Sequence, residues 1–434
     1  MSIRRHIIEE VKLANGTKGL LVHVPEASVM SMLFDFRAGY FLMDDKKWET
    51  PHILEHMSFG ANAKFSKGRE FQAEYEKNGA YCNAFTNFYD VSYETECADF
   101  EWNRILELVI LAFSEPSFLK EEFDAECGNV KDELIGTSNN RVRELSIAVS
   151  QAQGLRAQYY TDRIENMKNV LHEDIRKHFS ETHTLTNLRF VICGKIGARR
   201  EKILSLLERI PLEKGNGRIE LPEENTKKVT KTVYVPKKDV ANVYIDASGV
   251  AKGEFTQLDW TASGMISDYL SGTLYSKILG EARERGLVYS LGSGFSQTKN
   301  SITWGLSCQA QQANLPEVLK IVTREVTKLK NGEIKETDIK ALQEYSLGSY
   351  QRSTQTVNRL ANELAGVYFF KDIIFDHHSI PERIKAVNKD VLVDVIRRAF
   401  SEDNWALGML GAADEALQIE AREILDPLWQ TTAN

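Results

Sequence analysis

An internal duplication constrains the fold of this chain more than any other feature of its sequence. Residues 21–39 (LVHVPEASVMSMLFDFRAG) align with residues 232–250 (TVYVPKKDVANVYIDASGV) at a constant offset of 211. The offset pairs Val24-Pro25 with Val235-Pro236 and Asp35 with Asp246. Two further segments repeat in the same order: 175–181 with 396–402, and 187–194 with 404–411. Ordered matches at about half the chain length predict two similar domains.

The pattern within each half predicts an α+β fold. Each half opens with the apolar and polar alternation typical of strands, continues through long helical stretches and closes with another strand. At 434 residues the chain is long enough for two domains. A segment rich in Gly, Pro and charge, residues 211–228, is the expected linker. We therefore predict homologous domains at 1–220 and 229–434, each a β-sheet packed with helices.

The chemistry of the first half centres on the pentad His52-Ile53-Leu54-Glu55-His56, which reads H-x-x-E-H. Two imidazoles four residues apart share one face of a helix, so both can reach one metal ion, and the carboxylate between them can accept a proton from water. Thr50 is the expected N-cap, with Pro51 in the first turn. The alternative for the pentad alone is a helix with two half-buried histidines and a solvated glutamate.

A third ligand must come from elsewhere, because a catalytic zinc ion takes three protein ligands and keeps one open position. The stretch 118–136 (FLKEEFDAECGNVKDELIG) predicts a helix. In it Glu126 and Glu133 are seven residues apart and share a face with Val130. Charged helices also produce such a stripe by accident.

Composition excludes some partners. The net charge of −8 argues against a nucleic-acid partner and against an anionic membrane surface, and no apolar run approaches the length of a membrane span. The first sixteen residues carry adjacent glutamates and no apolar core, which argues against a transit peptide. The five cysteines are scattered, odd in number and without a C-x-x-C pair, so reduced thiols and a cytoplasmic location are expected.

These motifs together resemble the pitrilysin family of inverted zinc peptidases, which includes insulin-degrading enzyme and the mitochondrial processing peptidases, and in particular its two-domain bacterial members. HILEHMSFG resembles the zinc helix of the family, and residues 79–93 (GAYCNAFTNFYDVSY) resemble its strand that begins G-A-x-x-N-A. The resemblance implies Zn²⁺ as the cofactor, held by His52, His56 and Glu133. It also implies that Glu55 is the general base and that Glu126 orients a ligand.

The same resemblance implies a helper role for the second half. No histidine occurs between His183 and His377, so the second half cannot hold a copy of the pentad. Its segment R-x-x-G-L-x-Y contains Arg283 and Tyr289, which resemble an Arg/Tyr pair that holds the substrate, although the arginine lies one position from the usual spacing. The alternative is an exposed helix arginine and a core strand tyrosine.

The resemblance further implies that the substrate backbone pairs with the strand that contains Ala80, Asn83 and Ala84. The expected function is zinc-dependent endopeptidase activity on peptides or unfolded segments inside a chamber. The chain would form half of a clamshell, closed by a homodimer or by a heterodimer with a related chain. Two alternatives remain: a non-catalytic peptide-binding or structural subunit of the same family, and a processing peptidase active only with a partner chain.

Overall fold

The computed structural model describes residues 5–353 and 355–430. They form two compact units, each assembled from three segments. Unit 1 takes in the described residues of Met1–Ser138, Tyr160–Pro222 and Gln351–Phe375. Unit 2 takes in those of Asn139–Tyr159, Glu223–Tyr350 and Asp376–Asn434.

Both units contain one β-sheet and several helices. In chain order the strands are β1 (Ile7–Lys12), β2 (Lys18–His23), β3 (Val29–Phe36), β4 (Tyr81–Thr86), β5 (Val91–Ala98), β6 (Leu188–Gly194), β7 (Val233–Pro236), β8 (Asn242–Lys252), β9 (Val288–Gln297), β10 (Ser301–Gln311) and β11 (Trp405–Gly411). The α-helices are α1 (Thr50–Met57), α2 (Gly68–Glu76), α3 (Trp102–Ser114), α4 (Lys120–Thr137), α5 (Arg141–Ala152), α6 (Tyr160–Asn166), α7 (His172–Thr182), α8 (Arg200–Glu208), α9 (Gln257–Ser267), α10 (Leu279–Glu284), α11 (Leu315–Lys330), α12 (Glu336–Ser353), α13 (Val357–Lys371), α14 (Ile380–Ala386), α15 (Lys389–Ala399) and α16 (Glu415–Leu425).

The duplication is visible in the strand order. The sheet of unit 1 has the order β1-β2-β6-β3-β5-β4, and the sheet of unit 2 has the order β7-β11-β8-β10-β9. In both sheets the closing strand pairs parallel with an early strand, β6 with β2 and β11 with β7. It pairs antiparallel with the next strand, β3 or β8. The predicted fold class, two related α+β domains, is therefore confirmed.

One face of each sheet carries the larger core. In unit 1, apolar residues of α2, α3 and α8 pack with β3, β5 and β6, and among them Phe34, Phe113 and Phe190 are fully buried. In unit 2, helices α9, α11, α15 and α16 contribute to the corresponding core, which also contains three stacked or tilted indoles, Trp304, Trp405 and Trp429. The alternation of side chains along each strand separates this face from the opposite one.

The opposite face is covered in each unit by one helix from the other half of the chain. Helix α13 packs on β3 and β6 of unit 1, and α5 packs on β8 and β11 of unit 2. Gly408 allows the close approach of α5, because a Cβ at that position would lie 2.3 Å from Val149 and 2.9 Å from Leu145. The units therefore differ from the predicted contiguous domains 1–220 and 229–434. The physical reason is that each sheet must bury an apolar second face, and sequence order does not specify which helix covers it.

Other sequence-based expectations can be compared with the described residues. The helix predicted over 118–136 is observed as α4. Helix α1 is present, but its N-cap is Glu49 and not Thr50, which is already helical. None of the five cysteines, all of which lie within the described residues, forms a disulfide. In the part of the chain that the structure describes, no helix combines the length and the apolar character needed to cross a membrane.

Candidate metal centre

Helix α1 is held rigidly against α4. Ile53, Leu54 and Met57 are fully buried and pack in one apolar cluster with Val130 and Leu134 of α4. Burying three such side chains contributes about 1.5–3 kcal/mol each. The polar face of α1 therefore has a defined position relative to the acidic stripe of α4.

This packing brings together the three residues predicted as metal ligands. The Nε2 atom of His52 lies 3.5 Å from Glu133 Oε2, and the Nε2 atom of His56 lies 3.6 Å from the same oxygen. The three donor atoms all lie within 4.8 Å of one another. Ligands of a tetrahedral zinc ion, each about 2.0 Å from the metal, are separated by roughly 3.3 Å. Two imidazole nitrogens and a carboxylate oxygen are a donor set that zinc takes in proteins, and both nitrogen–oxygen distances are close to this separation.

A carboxylate orients each imidazole from behind. The Nδ1 atom of His56 lies 3.0 Å from Glu126 Oε2, and the Nδ1 atom of His52 lies 3.0 Å from Glu49 Oε2. When Nδ1–H donates to the carboxylate, the neutral ring presents the lone pair of Nε2 toward Glu133. Glu126 thus lies within hydrogen-bonding distance of His56, and its role in orienting a ligand stays a prediction.

The contribution of Glu49 was missed in the sequence analysis. Glu49 is buried and accepts hydrogen bonds from Arg163, at 2.5 Å from Nε and 3.0 Å from Nη2. Arg163 also donates to the hydroxyl of Tyr40. The position of Glu49, three residues before His52 on the same helical face, is a signal that could have been used. No local pattern pointed to Arg163, which lies 114 residues from Glu49.

The charged groups in this network shift one another's pKa values. Burial by itself would lower the pKa of His52, but hydrogen bonds to Glu133 and Glu49 outweigh burial and raise that pKa to about 9. The hydrogen bond with His52 lowers the pKa of Glu133, and the one with His56 lowers the pKa of Glu126. The acids are therefore held as carboxylates, which is the form that binds a cation.

Glu55 lies on the same helix and has a different environment. Burial raises the pKa of its carboxyl above the usual range, while the Thr86 hydroxyl donates a hydrogen bond of 2.7 Å to Oε2. Thr86 is the last residue of β4, so the end of this strand fixes one carboxylate oxygen of Glu55. A desolvated carboxyl with a raised pKa holds a proton more readily than an exposed one, which suits a group that accepts and releases protons.

The strand predicted to pair with substrate is at an edge. Strand β4 is the last strand of its sheet and pairs with β5. Asn83 on it is exposed, whereas Ala84 points into the core and Ala80 lies just before the strand. The free edge of β4 leaves backbone groups available for an extended peptide.

Arg283 and Tyr289 lie together in unit 2. Arg283 donates from Nη1 to the backbone oxygen of Tyr289 at 3.0 Å, and its guanidinium lies 4.7 Å from the centre of the tyrosine ring. Tyr289 is 80% exposed, so it is not the packed core tyrosine of the alternative interpretation. The structure thus pairs the two residues on the surface of unit 2.

Two sequence-family models match the chain. Residues 23–162 match the model described as Insulinase (Peptidase family M16), and residues 169–346 match the model described as Peptidase M16 inactive domain. A protein of Caenorhabditis elegans whose name describes a zinc protease is 29% identical over 132 residues, 30% of this chain. The match spans only 15% of the length of that relative.

Solved structures share the fold over nearly the whole chain. A protease from Helicobacter pylori has a TM-score of 0.79 at 18% identity and covers 94% of this chain and 100% of its own. A peptidase M16 inactive domain from Pseudomonas fluorescens also has a TM-score of 0.79, at 12% identity, and covers 94% and 98%. A chain of complex III from Candida albicans has a TM-score of 0.80 at 12% identity and covers 96% and 100%. At these identities the likeness establishes the fold alone.

Proposed function

Because the chain belongs to the insulinase family of peptidases, M16, we propose that it is a zinc-dependent endopeptidase that hydrolyses peptide bonds in peptides or unfolded segments. The membership confirms the resemblance to the pitrilysin family. The observation that carries the proposal is the convergence of His52, His56 and Glu133 beside the buried carboxyl of Glu55. Family membership alone does not distinguish an active peptidase from an inactive relative, whereas a complete set of ligands and base favours the active one.

His52, His56 and Glu133 would hold the zinc ion, with Glu49 and Glu126 orienting the two imidazoles. Zinc, when bound, supplies a Lewis acid that polarises the scissile carbonyl and activates water. Glu55 takes the proton from the attacking water and later delivers it to the leaving amine. The hydrogen bond from Thr86 holds the carboxylate in place for both transfers.

The proposed substrate is an extended peptide whose backbone pairs with the edge of β4 near Asn83. Tyr289 and Arg283 would donate hydrogen bonds to a substrate carbonyl, which assigns catalysis to unit 1 and substrate holding to unit 2. A homodimer, or a heterodimer with a related chain, would complete the active particle. The five cysteines form no disulfide within the described residues, which supports a reducing compartment such as the cytoplasm as the proposed location.

The test is zinc content combined with peptide hydrolysis by the purified chain. Protein prepared without chelator should carry about one zinc per chain. It should cleave members of a mixed-sequence peptide library, and Glu55→Gln should lower the rate at least about a hundredfold while zinc is retained. A chain that binds no zinc, or one whose Glu55→Gln variant cleaves as fast as the wild type, would disprove the proposal. A zinc-loaded wild type that cleaves nothing would favour the non-catalytic subunit, and activity only after addition of a related chain would favour the partner-dependent processing peptidase.

A further inference from the structure

The duplication repeats a polar pair on the second face of each sheet. In unit 1, Asp35 of β3 lies opposite Ser92 of β5, and in unit 2, Asp246 of β8 lies opposite Ser307 of β10. Asp35 and Asp246 are the residues related by the offset of 211. They therefore occupy the same position in two related sheets, and their surroundings can be compared directly.

In unit 1 the aspartate is supplied with a hydrogen-bond donor and with cationic neighbours. The Ser92 hydroxyl donates to Asp35 Oδ1. The residue opposite Asp35 on β6 is Arg189, and the guanidinium of Arg218 favours the charged form of Asp35. Burial and the nearby Asp90 still raise the pKa of Asp35, to about 7. The chain itself thus supplies both a hydrogen-bond donor and a nearby positive charge to this carboxyl.

In unit 2 the residue opposite the aspartate on the closing strand carries no charge. The residue opposite Asp246 on β11 is Gly408, and the Ser146 side chain of α5 supplies the hydrogen bond that favours the charged form of the Asp246 carboxyl. Within the described residues no lysine, arginine or histidine contributes to stabilising that charge. Burial raises the pKa of Asp246 to about 6. A carboxylate that is desolvated without a cationic partner is costly unless a ligand supplies the partner.

A cleft of about 380 Å³ opens beside Asp246. Helix α5 packs on β8 and β11, whereas Gly292 of β9 and Ser307 and Gln309 of β10 are exposed. The cleft lies between Leu145 of α5 and those two strands, and it is lined by polar groups of Ser307 and Gln309. Its volume falls at the small end of ligand pockets and suits one long side chain.

We propose that this cleft binds the arginine side chain of a peptide, with Asp246 as the acceptor for the guanidinium. A guanidinium offers five donors in a planar fork, which matches a carboxylate together with the serine and amide oxygens around it. In unit 1 the charge of the Arg218 guanidinium favours the charged form of the corresponding aspartate, and in unit 2 a ligand arginine would supply that charge. The inference deepens the proposed peptidase function, on which it rests for the identity of the ligand as a peptide.

The test uses the full-length protein with Glu55→Gln, so that bound peptides are not cleaved. The probes are nine fluorescent nine-residue Ala/Ser peptides, each with one arginine at a different position, and nine matched peptides with neutral citrulline there. We expect at least one arginine peptide to bind about tenfold more tightly than its citrulline partner, as a charged hydrogen-bonded pair requires. Asp246→Asn should abolish that preference, whereas Asp239→Asn, which removes an exposed acid of the same unit, should retain it.

A second variant blocks the cleft and leaves Asp246 in place, and it has a matched control. Gly292 lines the cleft, and a Cβ there would meet open space, so Gly292→Leu should fill the cleft and abolish the preference for arginine. Gly305, on β10 of the same sheet, also has open space at its Cβ but does not line the cleft. Gly305→Leu is therefore the matched control and should leave the preference intact.

Equal binding of every arginine and citrulline pair would overturn the proposal, and so would a preference that survives both Asp246→Asn and Gly292→Leu. The proposed peptidase function is tested separately, by the zinc content of the wild type and by its cleavage of the citrulline peptides. If the protein shows no preference for arginine but binds zinc and cleaves peptides, only the proposal of an arginine-binding cleft is overturned. If the protein prefers arginine peptides but neither binds zinc nor cleaves peptides, arginine binding by the cleft is supported and the proposed peptidase function is overturned.

Discussion

Arg163 holds Glu49 through two N–H···O contacts of 2.5 and 3.0 Å, and Glu49 in turn lies 3.0 Å from Nδ1 of His52. The three side chains form a continuous line from helix α6 to the proposed zinc ligand on α1. Both Arg163 and Glu49 are largely withdrawn from solvent, so their attraction is weakly screened. These contacts fix the orientation of the His52 ring before any metal is bound.

We expect Glu49→Gln to weaken zinc binding by about tenfold to a hundredfold, because partners that orient a metal-bound histidine typically contribute this much to affinity. Competition with a chromogenic chelator measures the affinity without reference to activity. Glu165→Gln, which removes an exposed acid on α6, is the control and should bind zinc as the wild type does. An unchanged affinity in Glu49→Gln would show that Glu126 and Glu133 suffice.

Tyr289→Phe should lower turnover by about a hundredfold, since losing one hydrogen-bond donor at a reacting carbonyl costs about 3 kcal/mol. The phenyl ring retains the packing surface that the Arg283 guanidinium covers, so the variant removes the hydroxyl alone. Steady-state hydrolysis and zinc content are the measurements, and zinc content should not change. Wild-type turnover in this variant would mean that the exposed tyrosine has no part in the reaction.

His178 predicts a pH dependence of stability. It is buried, its Nε2–H donates to the Ala38 carbonyl at 2.7 Å, and burial lowers its pKa to about 4. The unfolded chain has a histidine pKa of about 6.5. Between these values the unfolded state binds more protons than the folded state, so stability is lost as the pH falls from about 6.5 to 4.

The stability lost through His178 over this pH range is on the order of 3 kcal/mol. We expect the difference in unfolding free energy between the wild type and His178→Gln to shrink by this order between pH 7 and pH 4. Denaturant unfolding in EDTA measures it, with the metal removed from both proteins. Because other titrating groups cancel in the difference, a difference that stays constant with pH would contradict the assignment.

A fragment of residues 1–220 should not fold as a compact domain. It lacks α13, whose Val357, Leu360 and Leu364 cover Leu20 and Leu33 on the second face of the unit 1 sheet. Exposing these side chains loses about 1.5–3 kcal/mol for each. The fragment should bind the dye ANS strongly, and fusing residues 351–375 to it through a flexible linker should reduce the dye signal. Equal dye binding with and without that segment would show that α13 is dispensable.

The sequence by itself determined those features that depend on residues close together along the chain. The spacing of His52 and His56 places both rings on one face of α1, and the spacing of Glu126 and Glu133 does the same on α4. The repeated strand patterns likewise indicated two related sheets. These predictions succeed because helix and strand periods are local properties of the backbone.

The tertiary structure alone decided which distant groups meet. Arg163 contacts Glu49 across 114 residues, and α5 and α13 each cover a sheet from the other half of the chain. Asp246 lies opposite Gly408, whereas Asp35 lies opposite Arg189. The periodicity of helices and strands in the sequence does not predict these long-range contacts. They depend on which apolar faces pack together, and packing is selected by the free energy of the whole fold.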